Sequence, residues 1–149
     1  MKVESKISIS GSKKDIWSVI TDIEHSDQNI SGINSIEIIN KPEDSLIGLK
    51  WKEARTMFGK EAFETMWITH AEENTYYQTR AESHGAVYIS KFTIKEKDDT
   101  CELTMGFEGT PQSMLGKIMN AIFSGMMKKS TLKTIDLDLQ DIKKVVESK

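Results

Sequence analysis

The sequence predicts an α+β fold in which one antiparallel sheet of about seven strands wraps around a long C-terminal helix. Three observations predict it. Between Gly48 and Thr110 every segment alternates or is rich in strand formers, and only short turn-like joints separate the segments; short joints between consecutive strands make an antiparallel meander. From Thr110 to about Val146 apolar residues recur at helical spacing, with no proline beyond Pro111. Ahead of the meander lie a strand, a well-capped helix and another strand, giving the order β-α-α-β6-α.

The opening strand runs from Val3 to Ser10, with Val3, Ser5, Ile7 and Ile9 alternating against Glu4, Lys6 and Ser8, and Gly11 breaks it. Ser12-Lys13-Lys14-Asp15 has the form of a capping box, a hydroxyl three residues ahead of a carboxylate. The helix it starts, over 13–22, puts Ile16, Val19, Ile20 and Ile23 on one face with Trp17 beside them. Glu24 to Asn29 form a turn or a short second helix, and Ile33 to Ile39 a strand ended by Asn40, Lys41 and Pro42. Five strands follow at about 49–58, 61–71, 75–83, 86–96 and 101–109. Their joints are Phe58-Gly59-Lys60, Glu73-Asn74, His84-Gly85 and Asp98-Asp99.

Thr110-Pro111 reads as a hydroxyl N-cap followed by proline at the first helical position. The early helix stripe is Leu115, Ile118, Met119, Ile122, Phe123 and Met126; the later one is Leu132, Ile135, Leu139, Ile142 and Val146. At about 100° per residue the two stripes point almost oppositely. The helix therefore bends near Gly125, or its halves bury against different things, or it is two helices jointed at Lys128 to Thr131.

A chain of 149 residues is one domain by prior, large enough for a self-sufficient core, and we take 1–149 as a single unit. A formal charge of −3 gives no basic field for nucleic acid. A single cysteine, Cys101, excludes an intramolecular disulfide and fits a reducing compartment. No signal-peptide core and no apolar run of membrane-spanning length occur, so the expectation is a soluble, cytoplasmic protein.

Several stretches carry a family resemblance. Asp15-Ile16-Trp17-Ser18-Val19-Ile20-Thr21-Asp22-Ile23-Glu24 resembles the first helix of the START-related superfamily. Gly48-Leu49-Lys50-Trp51-Lys52-Glu53-Ala54-Arg55 is similar to its glycine-led third strand, Glu108-Gly109-Thr110-Pro111 to its strand-to-helix junction, and Leu137-Asp138-Leu139-Gln140-Asp141-Ile142-Lys143 to its helix end. Within that superfamily the chain looks most like the bacterial polyketide cyclase/dehydrase and lipid-transport types. The resemblance covers nearly the whole chain and implies the helix-grip fold, in which the sheet grips the terminal helix. It marks a fold rather than an activity, because members include carriers, cyclases, hydrolases and chaperone activators.

The residues themselves argue against several chemistries. His25, His70 and His84 lack metal-ligand spacing, one cysteine makes no zinc set, and neither a Gly-x-Ser-x-Gly elbow, a phosphate loop nor a dinucleotide fingerprint is present. The expectation is no metal and no cofactor. What remains is a set of polar residues on inward strand faces. Alternation groups Leu49, Trp51, Glu53, Arg55 and Met57 on the inner face of the third strand, where two opposite charges must pair, meet water or meet a ligand. The plainer reading is a structural Glu53–Arg55 pair satisfied by neighbouring strands. Arg80, with Tyr76 and Gln78, and Tyr88, with Ser90, Phe92 and Ile94, are further candidates for a few convergent polar groups.

Met57, Met66, Met105, Met114, Met119, Met126 and Met127 suit a cavity that adapts to an apolar guest, beside their plainer use as core fillers. Cys101 reads as a core residue alternating with Leu103, Met105 and Phe107. The expected apolar lining is Trp51, Met57, Tyr88, Phe92, Met105, Phe107, Ile118, Met119, Ile122 and Met126, with Arg55 or Arg80 holding a polar group of the guest. Lys128-Lys129 with Lys133 is a solvated face or, on a second reading, a transient contact with anionic lipid. The first functional expectation is a binder or carrier of a small hydrophobic molecule such as a lipid, quinone, isoprenoid or polyketide-like ring. The alternatives are a cyclase or dehydratase using Glu53, His70, Tyr88 or Arg80, and a protein-interaction module with an exposed apolar patch.

Overall fold

Three two-residue turns build the meander, and each begins with a residue in the left-handed region: Phe58 (φ 51°), His84 (φ 49°) and Asp98 (φ 49°). In the first two, glycine follows, also at positive φ, which is the backbone that matches the twist of paired strands. The strands they join are β3 (Lys50–Met57) to β4 (Lys60–Glu72), β5 (Tyr76–Ser83) to β6 (Ala86–Lys97), and β6 to β7 (Thr100–Pro111). With β1 (Lys2–Ile9) and β2 (Ile33–Asn40) they form one sheet, ordered β1-β7-β6-β5-β4-β3-β2, in which every neighbouring pair is antiparallel. The computed structural model describes residues 1–112 and 114–149, leaving out the side chains of 115, 116 and 119–124.

Between β1 and β2 come α1 (Lys13–Ile20), a 3₁₀ turn (Ile23–His25) and α2 (Ser26–Asn29). The Ser12 hydroxyl caps α1 by accepting from the Asp15 amide at 3.1 Å. The terminal helix, α3, spans Met114–Glu147. Lys128 to Thr131 lie inside it, so the two-helix alternative does not hold. Thr110 and Pro111 end β7 rather than start the helix, a correction with a simple cause. The ladder to β6 continues through Tyr88↔Gly109, Val87↔Thr110 and Ala86↔Pro111, while the pairing to β1 ends at Glu108, so Pro111 lies on a local sheet edge, where proline is tolerated.

The later stripe of α3 meets the sheet. Ile135, Leu139, Ile142 and Val146 are buried in one core with Ile9, Ile16, Ile68 and Leu103, and each fully buried Ile or Leu contributes about 1.5–3 kcal/mol. Gly11 allows the close approach of the helix end, since a Cβ there would lie 2.7 Å from Val146 Cγ1. Polar ties fix the same half. Lys143 Nζ donates to the Ser8 carbonyl at 2.6 Å, Ser10 N to Glu147 at 2.8 Å, and Ser31 to Asp141 through both its amide and its hydroxyl. The described apolar side chains of the first half are different: Met114, Ile118 and Met126 are exposed. Among the described side chains of α3, those packed in the core against the sheet all belong to the second half. Among the described residues no helix is long and apolar enough to cross a membrane.

Candidate functional site

The concave face of the sheet, the α1–α2 segment and the second half of α3 enclose a cavity of ≈ 560 Å³. Strand register sets its walls. Trp51 pairs with Met66, Met66 with Ala81, Ala81 with Tyr88, and Tyr88 with Gly109, so one row of side chains crosses five strands. The row below runs from Ile68 through Thr79 and Ser90 to Phe107, and the next from Ala71 through Tyr77 and Phe92 to Met105. Trp51, Met57, Tyr88, Phe92, Met105 and Phe107, all expected to face inward, line the cavity.

The floor is aromatic. Tyr77 is buried, packs edge-on to Trp17 at 6.2 Å and against Phe92 at 5.4 Å, and its hydroxyl donates to the Ile20 carbonyl at 3.0 Å. Burial holds its phenol well above the ordinary range. Above it the Thr79 and Ser90 hydroxyls bond to each other, and the Tyr88 ring stacks on Phe107 at 5.7 Å. Gly109 makes room for that stack, since a Cβ there would lie 3.1 Å from two Tyr88 ring carbons. The exposed lining residues Met57, Phe58, Phe63, His84 and Met127 gather at the β3–β4 and β5–β6 hairpin tips and α3, and mark the open end. Phe58, 71% exposed at positive φ, is the most prominent of them.

One side carries an ion cluster. Arg55 Nη1 and Nη2 donate to the two carboxylate oxygens of Asp138 at 3.1 and 2.7 Å, and Nε donates to Glu53 at 2.5 Å. Trp51 Nε1 reaches the other oxygen of Glu53 at 3.4 Å. Gly32 leaves space for the guanidinium, since a Cβ there would stand 3.0 Å from Nη1. Desolvation alone would lower the Arg55 pKa, but Asp138 and Glu53 outweigh it and the group stays charged. For Asp138 burial prevails, and its carboxyl is raised despite the two bonds from Arg55. One guanidinium is shared between two carboxylates. The structural pair expected from the sequence is real, with its third member on the helix rather than on a neighbouring strand.

Glu64 is the third acid on the wall. It sits directly across from Glu53 in the β3–β4 ladder, and the Ser83 hydroxyl donates to it at 3.2 Å. No lysine or arginine among the described residues forms an ion pair with it. Burial raises its pKa, against the Ser83 bond and the nearby His84, and Glu53 adds to the rise. Tyr88 is likewise raised, by burial and by Glu64. A raised carboxyl binds its proton more tightly in the folded than in the unfolded chain. The stability this gives is complete below the ordinary glutamate value of 4.5 and is lost as pH rises through the folded pKa. Glu64→Gln should therefore gain on the wild type in urea midpoint as pH rises from 4.5 toward neutral. A constant offset between the two proteins across that range would show that Glu64 is not perturbed.

Other expected site residues lie elsewhere. Arg80 is on the outer face, bonded to Glu82 at 2.9 Å through Nε, and Tyr76 on the same strand face lies under the Lys91 ammonium. The inward residues of β5 are Tyr77, Thr79, Ala81 and Ser83. His70 is outside because a bulge between Ile68 and His70 reverses the alternation of β4: Ile68 faces Thr79, but His70 faces Gln78. Ile118 (54% exposed) and Met126 (57% exposed) turn to solvent; the neighbouring Met127 lines the open end. The side chains of Met119 and Ile122 lie outside the described residues. Cys101 is buried with Leu103, and burial pushes its thiol pKa up. Among the described residues no three His, Cys, Asp or Glu side chains gather as a metal site requires. Sequence reasoning missed Asp138, Glu64, Tyr77, Thr79 and Ser83.

The comparisons agree with this architecture. A protein of Thermus thermophilus superposes with a TM-score of 0.82 at 10% identity, over 99% of this chain and 98% of the other. A START superfamily protein from Mycobacterium smegmatis gives 0.74 at 16% identity, over 99% and 97%. The Zhui aromatase/cyclase from a Streptomyces species gives 0.72 at 11% identity, over 99% and 93%. At such identities the likeness shows the fold alone. No match exists among curated proteins. The model of the family described as polyketide cyclase / dehydrase and lipid transport matches residues 1–147, and the chain belongs to that family.

Proposed function

We propose that the protein, acting as a single ligand-binding domain, reversibly binds a small lipophile between the sheet and the second half of α3. The observation that carries this reading is the cavity itself. Its ≈ 560 Å³ is within the roughly 300–1,000 Å³ of small-molecule sites, and most of its lining is apolar. An apolar guest gains by leaving water, and the aromatic and methionine side chains around Phe92, Phe107, Met66 and Met105 adapt to its outline. The family's description, which joins cyclase and lipid-transport members, supports a hydrophobic guest without choosing between them.

The Arg55 guanidinium lines this site, but its bonds to Glu53 and Asp138 make it a structural tie rather than a free anion grip. A second reading, turnover of the guest, is favoured by Glu64: a carboxyl on the cavity wall held above its ordinary value by burial suits proton transfer. Titration with the neutral dye Nile red tests the binding reading. Saturable, blue-shifted emission at one dye per chain is expected; emission no greater than with an unrelated protein would refute it.

A further inference from the structure

We infer that the cavity selects its guest by charge, with Glu64 as the selector: a lipophile with a cationic head group is preferred, a neutral one tolerated and an anionic one rejected. The inference deepens the lipophile-binding reading and rests on it.

The charge inventory of the wall carries the argument. Glu53 on β3, Glu64 on β4 and Asp138 on α3 supply three carboxylates; against them, among the described lining residues, stand the Arg55 guanidinium, the Met1 ammonium bonded to the Gly109 carbonyl at 3.1 Å, and the exposed His84 imidazole, with no lysine. Arg55 is occupied on both edges, Nη1 and Nη2 by Asp138 and Nε by Glu53, so the cluster it anchors keeps an excess of negative charge. An incoming carboxylate or phosphate would have to break one of those bonds and leave a buried acid unpaired.

Glu64 stands apart from that cluster and, among the described residues, has no cation paired with it. The groups around it are Glu53 across the β3–β4 ladder, the Ser83 hydroxyl from β5, His84 at the β5–β6 turn and Tyr88 from β6. Of these only the His84 imidazole can carry positive charge, and it is exposed at the open end. Burial makes the ionised Glu64 unfavourable, and the Ser83 bond and His84 offset that only in part. A guest ammonium does so. The same cation would lie near the Tyr88 ring, stacked on Phe107, whose π-face attracts positive charge. Around Glu64 an anionic head group meets the reverse: two opposed carboxylates, an excess charge at Arg55 and aromatic faces that repel it.

A matched series with one chain length, dodecylamine, dodecanol and dodecanoate, tests the inference by displacement of Nile red at neutral pH, below the micelle concentration of each. The wild type is expected to bind the amine most tightly and the carboxylate at least about tenfold more weakly, a gap of about 1.4 kcal/mol. Glu64→Gln, nearly isosteric, should close most of that gap while leaving the alcohol within about twofold, as removal of a charge rather than of volume requires. A carboxylate that binds wild type as tightly as the amine overturns the inference, whatever the variant does. So does an unchanged gap in a Glu64→Gln protein that still unfolds cooperatively. If dye and all three chains fail to bind the wild type, the lipophile reading itself falls; if the dye binds but the three chains tie, only charge selection falls.

Discussion

Arg55→Met is expected to destabilise the protein by about 3–5 kcal/mol, the loss typical of removing one partner from a buried ion pair. Asp138 is buried and Glu53 nearly so, and Arg55 is their shared cation, making three hydrogen bonds to them. Methionine fills a similar volume but leaves two desolvated carboxylates without a counter-charge, so one or both must take a proton or draw in water. The helix would loosen as well, because Arg55 links β3 to α3 across 83 residues of chain. Asp138→Asn should be milder, about 1–3 kcal/mol, since Arg55 keeps Glu53 and the amide oxygen still accepts. Arg55→Lys should recover only part of the loss, because a point charge cannot bridge two carboxylates with a fixed fork. Urea midpoints decide it, together with a melting temperature lower by roughly 2–4 °C per kcal/mol. An Arg55→Met protein within about 1 kcal/mol of wild type, on the order of a surface substitution, would show that the cluster is not a structural tie.

Ala81→Trp is expected to reduce lipophile affinity by at least about tenfold, equivalent to about 1.4 kcal/mol or more, while the protein stays folded. Ala81 is buried in the middle of the cavity row, with Met66 on one side and Tyr88 on the other, and its side chain ends at empty space. An indole there occupies volume the guest needs without displacing a neighbour from the core beneath, which is formed by Ile68, Leu103 and Leu139. In a close-packed interior the same change would strain the core by about 1–3 kcal/mol or more. Two measurements on one variant therefore separate cavity from core. Lost Nile red binding with a near-wild-type urea midpoint fits a guest-sized void. Retained binding would place the guest elsewhere.

The strands were legible because alternation and turn chemistry act locally. Phe58-Gly59, His84-Gly85 and Asp98-Asp99 do form the hairpins their composition suggests. Inward faces were legible where a large residue marks them, as Trp51 marks β3 and Phe92 and Phe107 mark β6 and β7. They were not legible on β5. There the inner face after Tyr77 is Thr79, Ala81 and Ser83, and the outer face offers Tyr76, Gln78 and Arg80. A wall that leaves room for a guest is built of small and hydroxylated side chains, so hydrophobicity loses its power to choose the face at the very strand lining the void.

His70, named as a catalytic candidate, faces outward because the β4 bulge interrupts the period of two, and nothing local in Thr69-His70 announces that bulge. Asp138 could have been found. It lies three residues after Ile135 and four before Ile142, on the stripe that packs against the sheet, and an acid on such a stripe requires a partner. Of the early stripe, two members misled for the opposite reason. Ile118 and Met126 have core-like chemistry and helical spacing but no sheet opposite them.

Native mass spectrometry of the protein purified from its own host, followed by solvent extraction of the bound fraction, tests the central claim most directly. A population heavier than the bare chain by one small molecule is expected, released on gentle activation, recovered as a lipophile in the extract and absent from Ala81→Trp. A bare chain from the host, together with no binding of Nile red or of any member of the amine, alcohol and carboxylate series, would contradict it.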